Sequence, residues 1–235
     1  GVGMFAEQHL VPHLQKFGAV LKGVANSRPV SAMSAGKKFN FGFHSTDPKE
    51  VMKDSSINTI FIATRHDSHV RYVVEALQNR KHVFVEKPLA VTEEQLQQMR
   101  TAYEAATAHY SPAFMVGFNR RSSASFRDIK AFFATRKEPF AITYRVNALS
   151  LPPGYWLYDE KQGGRIIGEG CHFLDCMQYL TGAQPVHVFA SAIRSNNAKV
   201  ENSDTINATL SYSDGSVCNL LYTANGDAAL PREYC

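Results

Sequence analysis

Two stretches of this chain carry side chains that can do chemistry. In residues 82–95, HVFVEKPLAVTEEQ, an apolar run ends in Glu86, Lys87 and Pro88. An ammonium group at a strand end can hydrogen-bond a reacting oxygen and stabilise negative charge developing there. In residues 163–175, GGRIIGEGCHFLD, His172 and Asp175 stand three apart and so share a helix face. An imidazole so placed can take a proton from a hydroxyl as a hydride leaves the same carbon. Each residue also has a plainer reading: Lys87 as a surface lysine paired with Glu86, His172 as a core histidine bonded to a backbone carbonyl. Cys171, His172 and Cys176 invite a metal, but zinc needs three or four ligands and no further cluster supports one, so no metal is expected.

The chain opens GVGMFA, and Gly1, Gly3 and Ala6 fit G-x-G-x-x-A. The first glycine permits a tight turn, the second lets a pyrophosphate approach the backbone, and the small third residue lets the helix pack on a sheet. Met4 and Phe5 complete the cofactor-facing turn. Where an acid would bind the ribose of NAD, the sequence has Asn26, Ser27 and Arg28. A hydroxyl and a guanidinium suit a 2′-phosphate better, so the cofactor is NADP or NAD with a lean to NADP. The alternative is that Arg28 is a solvated loop charge. Ligands of open parallel sheets sit beyond the carboxyl ends of the strands, which adds Thr64, Arg65, His69, Glu86 and Lys87 to the cofactor-binding set.

These residues need strands and helices to hold them. The first half alternates: a Gly-rich turn and helix to residue 17, a strand at 20–25, a helix at 30–38, and a helix capped by Asp47 with Pro48 in its first turn. NTIFIAT at 58–64 reads as a buried strand. Residues 69–79 read as a helix striped by Val70, Val73, Val74 and Leu77. A strand at 82–85, a helix from the Thr92/Gln95 capping box to about residue 108, and a strand at 113–117 complete the series. Such alternation means a parallel sheet. From about residue 118 the pattern changes: a helix at 123–135, a strand at 140–148, a loop with Pro152, Pro153 and Gly154, and a helix at 164–180. Strands follow at 186–194, 204–212 and 216–223, the last two joined at Asp214-Gly215. The expected architecture is an α/β Rossmann domain over residues 1–118, its first strand apparently missing. An α+β domain with a largely antiparallel open sheet follows over 119–235, incomplete at its C-terminus.

With 235 residues, 44% hydrophobic and 20% charged, the composition is that of a soluble globular protein. A formal charge of +4 can favour an anionic ligand but gives no nucleic-acid signature. No apolar run suits a membrane span. The four cysteines show no CxxC spacing and read as reduced thiols, as expected in the cytoplasm. Both ends look cut, so a longer polypeptide is expected.

The chain resembles the Gfo/Idh/MocA oxidoreductases, named for glucose–fructose oxidoreductase and inositol dehydrogenase. The resemblance is carried by GVGMFA at 1–6, Ile62-Ala-Thr64, Glu86-Lys-Pro88, VGFNRR at 116–121 and GGRIIGEGCHFLD at 163–175, in order across nearly the whole length. It implies an NAD(P)-dependent oxidoreductase that moves a hydride to or from a sugar, sugar-nucleotide or polyol carbon. It also implies a catalytic Lys87 and a catalytic His172. Many members carry an aspartate four residues before that histidine; here the place is Gly168, with Glu169 beside it, so Glu169 or Asp175 is the candidate relay. Asn119, Arg120, Tyr155 and Trp156 are the candidate substrate residues, with an interdomain salt-bridge patch and a core-plugging loop as the plainer readings. The segments IATRHDSH, YRVNALSLPPGYW and GRIIGEGCHFLD look most like members fused behind a zinc-type alcohol dehydrogenase-like region. A homo-oligomer assembled through the C-terminal sheet is expected. A non-catalytic dinucleotide-binding or regulatory module of the same fold is the competing function.

Overall fold

The structure, a computed structural model, describes residues 1–152, 154–196 and 204–235; Pro153 of the expected proline loop lies outside them. The chain divides into two compact units, Gly1–Gly117 and Phe118–Cys235.

The first unit begins with a turn and a helix over residues 4–16, which contains a π-helical stretch at Ala6–Leu10 before α1 (Val11–Lys16). Then follow β1 (Gly23–Ala25), α2 (Pro29–Phe39), β2 (Phe43–Ser45), α3 (Pro48–Lys53), β3 (Thr59–Ile62), α4 (His69–Gln78), β4 (His82–Val85), α5 (Glu93–Thr107) and β5 (Phe114–Val116). All pairings are parallel: β1 with β2, and β3 with β4 with β5. The strand expected at 20–25 is confined to 23–25, with Val20 largely exposed, and the three-residue β2 had no readable apolar signal.

The caps read from sequence are made. Asp47 accepts from the Lys49 N–H at 2.9 Å. Thr92 accepts from the Gln95 N–H, while the Gln95 side chain reaches back to the Val91 N–H. The α4 stripe buries Val70, Val73 and Leu77, the last two packing with Ile60, Ile62, Val83 and Val85 of the central strands. Truncating Leu77 to Ala in such a core costs about 2–5 kcal/mol. The buried Lys81 ammonium donates to the carbonyls of Asp54 and Ile57, each at 2.7 Å, tying the loop before β3 to the entrance of β4.

The second unit carries α6 (Ala124–Phe132), β6 (Ala141–Asn147), a π-helical turn (Ile166–Gly170) leading into α7 (Cys171–Thr181), and strands β7 (Pro185–Ala192), β8 (Ile206–Tyr212), β9 (Val217–Thr223) and β10 (Glu233–Tyr234). The sheet order is β10-β6-β9-β8-β7, antiparallel except for β6 beside β9. Phe173, Cys176, Met177 and Leu180 follow helical spacing on α7 and pack with Tyr144, Val146, Leu210, Leu220 and Tyr222 of the sheet. The β8–β9 hairpin turns at Gly215, whose φ of 85° is one that side-chain-bearing residues rarely adopt.

Candidate active site

The N-terminal turn is held by a residue that sequence reasoning read only as a missing acid. Asn26, just past β1, accepts from the Val2 N–H at 2.6 Å and donates its amide to the Val2 carbonyl at 3.3 Å. A Cβ on Gly1 would lie 3.3 Å from the Asn26 side-chain oxygen and 3.5 Å from the Ala63 carbonyl, so the turn is seated between the ends of β1 and β3. A Cβ on Gly3 would meet no atom within 4 Å beyond its chain neighbours. The space above that backbone is open at the start of a helix, which fits the approach of a pyrophosphate. Ala6 is buried beneath the turn, while Met4 and Phe5 are exposed. Ser27 and Arg28 are exposed directly after β1.

Thr64 and Arg65 follow β3, and the Thr64 hydroxyl shares a 2.7 Å hydrogen bond with that of Ser68. Glu86 and Lys87 follow β4, half-buried, with a cis peptide between Lys87 and Pro88. The Glu86 N–H donates to the Ile62 carbonyl at 2.9 Å, which extends the β3–β4 pairing to the corner itself. Burial pushes the Glu86 carboxyl up from its ordinary value, against the opposing charge of Lys87. Its neighbour was missed as a site residue. A Cβ on Gly117 would fall 2.8 Å from one Glu86 carboxylate oxygen and 3.0 Å from the other, so only glycine leaves this carboxylate its place. The signal was present in VGFN, where the glycine ends a strand that has no turn of its own to make.

His69 departs from the expectation of a cofactor contact. It is fully buried at the start of α4, its ring nitrogens directed at two carbonyls of the protein.

In the second unit, His172 is the second residue of α7 and is buried, with the Phe118 ring edge-on at 6.1 Å. Neither relay acid waits idle beside it. The Glu169 carboxylate accepts from the Tyr222 hydroxyl at 2.5 Å and from Arg165 at 3.3 Å. Burial alone would raise this carboxyl, but Tyr222 and Arg165 outweigh it and hold it below the ordinary value. Asp175, also buried, accepts two hydrogen bonds from the Arg121 guanidinium.

Arg120, expected at the substrate, is clamped by both Glu233 oxygens, at 3.1 and 2.5 Å, over the Phe173 ring. Its charge stitches the short β10 to the body of the unit. Asn119 is exposed, beginning the turn Asn119–Ser122. Tyr155 is exposed and Trp156 half-buried, their rings 5.9 Å apart. Among the described residues, no group of three or more His, Cys, Asp or Glu side chains could hold a metal. None of their helices is long and apolar enough to cross a membrane.

A glycine turn at a helix start, βα units whose strand ends carry polar side chains, and a mostly antiparallel second unit define a class: dinucleotide-binding Rossmann proteins with an appended α/β domain. Two family models match: "Oxidoreductase family, NAD-binding Rossmann fold" over residues 1–114 and "GFO/IDH/MocA C-terminal domain" over residues 138–231. The chain belongs to the Gfo/Idh/MocA oxidoreductase family. Among its relatives, an uncharacterized oxidoreductase of Bacillus subtilis, YrbE, is 23% identical over 225 residues, covering 92% of this chain and 63% of its own. The scyllo-inositol 2-dehydrogenase (NAD(+)) of the same organism is 26% identical over 213 residues, covering 90% and 60%. The crystal structure of a probable dehydrogenase from Thermotoga maritima shares the fold at a TM-score of 0.83 and 21% identity, over 96% of this chain and 68% of that one. The chain thus spans about three fifths of the length of these two curated relatives.

Proposed function

We propose that the protein is an NAD(P)-dependent oxidoreductase acting on a CH–OH carbon of a sugar or cyclic polyol. The observation that carries this reading is the pairing of an open glycine turn with the Glu86-Lys87-Pro88 corner, both at the carboxyl ends of strands in one parallel unit. Gly1, Gly3 and the start of the helix at residue 4 would hold the pyrophosphate; Ser27 and Arg28 would meet the ribose, with a lean to NADP. A nicotinamide cofactor supplies the hydride acceptor or donor. Lys87 polarises the oxygen on the reacting carbon, and its ammonium stabilises charge that builds there. His172 exchanges the hydroxyl proton through its imidazole. With Glu169 held by Tyr222 and Asp175 by Arg121, neither acid is assigned a relay role. The scyllo-inositol 2-dehydrogenase (NAD(+)) relative supports both a ring polyol and nicotinamide-linked redox chemistry.

The same reading has the protein cytoplasmic. It also has two copies associating through the C-terminal sheet, whose edge strand β7 leaves Phe189 75% and Val188 69% exposed. Size-exclusion chromatography with light scattering checks the last point.

The test is fluorescence titration with NADH and NADPH, then turnover on a panel of inositols and anhydrosugars. Lys87→Ala should lower turnover about hundredfold while leaving cofactor affinity within about twofold. A second reading, dinucleotide binding without turnover, is favoured by the engagement of both acids near His172 in sequence. Cofactor binding with no turnover on any substrate, and no effect of Lys87→Ala, would select it.

A further inference from the structure

We infer that His69 is a positioning residue for Lys87, fixing the backbone on the far side of the lysine through the Pro88 carbonyl. The inference rests on the role proposed for Lys87 above. The imidazole is fully buried, with Nδ1 2.7 Å from the Pro88 carbonyl and Nε2 3.2 Å from the Thr64 carbonyl. A neutral ring carries one N–H, and the shorter contact, to Pro88, takes it. Burial, reinforced by the Lys87 charge, keeps the ring neutral in spite of its two carbonyl partners.

The consequence for Lys87 is geometric. On its N-terminal side, the Glu86 N–H is tied to the Ile62 carbonyl of β3. On its C-terminal side, the Pro88 carbonyl is tied to the first residue of α4. Lys87 is therefore the single residue between two anchors that belong to different elements. The sheet supplies one anchor by its ordinary ladder. The other is made by a side chain 19 positions upstream that reaches the loop. A lysine has four rotatable side-chain bonds, so the place of its ammonium depends on how firmly its Cα is held.

The choice of variants separates positioning from bulk packing. Asn places an amide N–H near the position of Nδ1 and keeps the bond to Pro88. Phe fills the space with no donor. His69→Phe should lower kcat roughly tenfold or more, since a displacement near 1 Å can cost a hundredfold, with cofactor affinity within about twofold. His69→Asn should recover most of that loss. A second readout needs no turnover: reductive ¹³C-methylation of the lysines, with the Lys87 resonance assigned by its absence in Lys87→Ala. That resonance should move in His69→Phe and stay near its wild-type position in His69→Asn. If the wild-type protein shows no turnover yet the Lys87 signal follows this pattern, the functional reading fails and the positioning inference stands. If the signal is the same in all three proteins, or Asn behaves as Phe does, the inference is overturned whether or not the protein is an enzyme. Melting temperatures of each variant, taken alongside, identify any that fail to fold; His69→Leu then stands in for Phe, and if Asn fails, the Lys87 resonance of the donor-less variant against wild type decides alone.

Discussion

The Tyr222 hydroxyl donates to the Glu169 carboxylate across 2.5 Å, joining the glycine-rich turn before α7 to the centre of the sheet. Strand β9 thus fixes the segment that precedes His172. Arg165 completes the lock, donating to Glu169 at 3.3 Å and to the Leu149 carbonyl at 2.6 Å from a nearly fully buried position.

This lock should contribute stability rather than proton transfer. Tyr222→Phe leaves a half-buried carboxylate short of a donor and should destabilise the second unit by about 1 kcal/mol. Trp156 is the only tryptophan, so its fluorescence during urea unfolding reports on that unit. The pH dependence follows from the lowered Glu169 value. A carboxyl depressed in the folded state stabilises above its unfolded pKa and loses that contribution as pH falls through the folded value. The difference between wild type and Glu169→Gln should therefore be full at pH 7 and shrink below about pH 4. An equal difference at both pH values would mean that the carboxylate charge plays no part.

Gly117 and Glu86 should behave as a coupled pair. Gly117→Ala drives a methyl group to within 3.0 Å of both Glu86 carboxylate oxygens, so the half-buried side chain must leave its place. In a Glu86→Ala background those three closest atoms are gone, and the same substitution should cost less. A double-mutant cycle on thermal unfolding should give a coupling of about 0.5–3 kcal/mol. Additive effects would show that the strain lies in the backbone and not against Glu86.

Much of this fold was legible because period and punctuation agreed. The run 82–85 is a strand with the bounds read from its apolar residues, and α4 buries Val70, Val73 and Leu77 of the stripe that its spacing assigned, with Val74 half-buried. The losses have physical causes. β2 and β10 are too short to carry a pattern, and β10, paired with β6, is also held by the Arg120–Glu233 pair, which links residues 113 positions apart. The same long-range pairing holds Arg120, expected at the substrate, against Glu233. Residue types at the site were visible, but which charge meets which was not: Asp175 faces Arg121, and Asn26 braces the glycine turn, through contacts that no local spacing encodes.

Arg28 should set cofactor choice. It stands exposed just beyond β1, at the N-cap of α2, where no side-chain capping bond engages it. A guanidinium there gains charge-assisted bonds to a 2′-phosphate but little from a hydroxyl. Arg28→Ala should weaken NADPH about tenfold and NADH by less than about twofold, by fluorescence titration. Equal losses would remove the 2′-phosphate from the argument.

His69 should leave its mark on stability below neutral pH. Its folded pKa lies under the ordinary histidine value of 6.5, first because burial disfavours the cation and then because Lys87 repels it; the Pro88 and Thr64 carbonyls and the Asp67 charge oppose this only in part. The unfolded chain therefore binds a proton near pH 6.5 that the folded chain refuses until lower pH. Where the unfolded state holds more protons, stability rises with pH. The His69 contribution is complete above about pH 6.5 and declines as the solution is acidified towards the folded value. Asparagine keeps the hydrogen bond to Pro88 and does not titrate. Melting temperatures of wild type and His69→Asn, taken by calorimetry between pH 7.5 and 5.5, should converge or cross as pH falls, with the wild type losing more. The eight other histidines are common to both proteins and cancel in the difference. Parallel curves would mean that His69 titrates alike in both states, and that the fold does not hold its ring neutral against protonation.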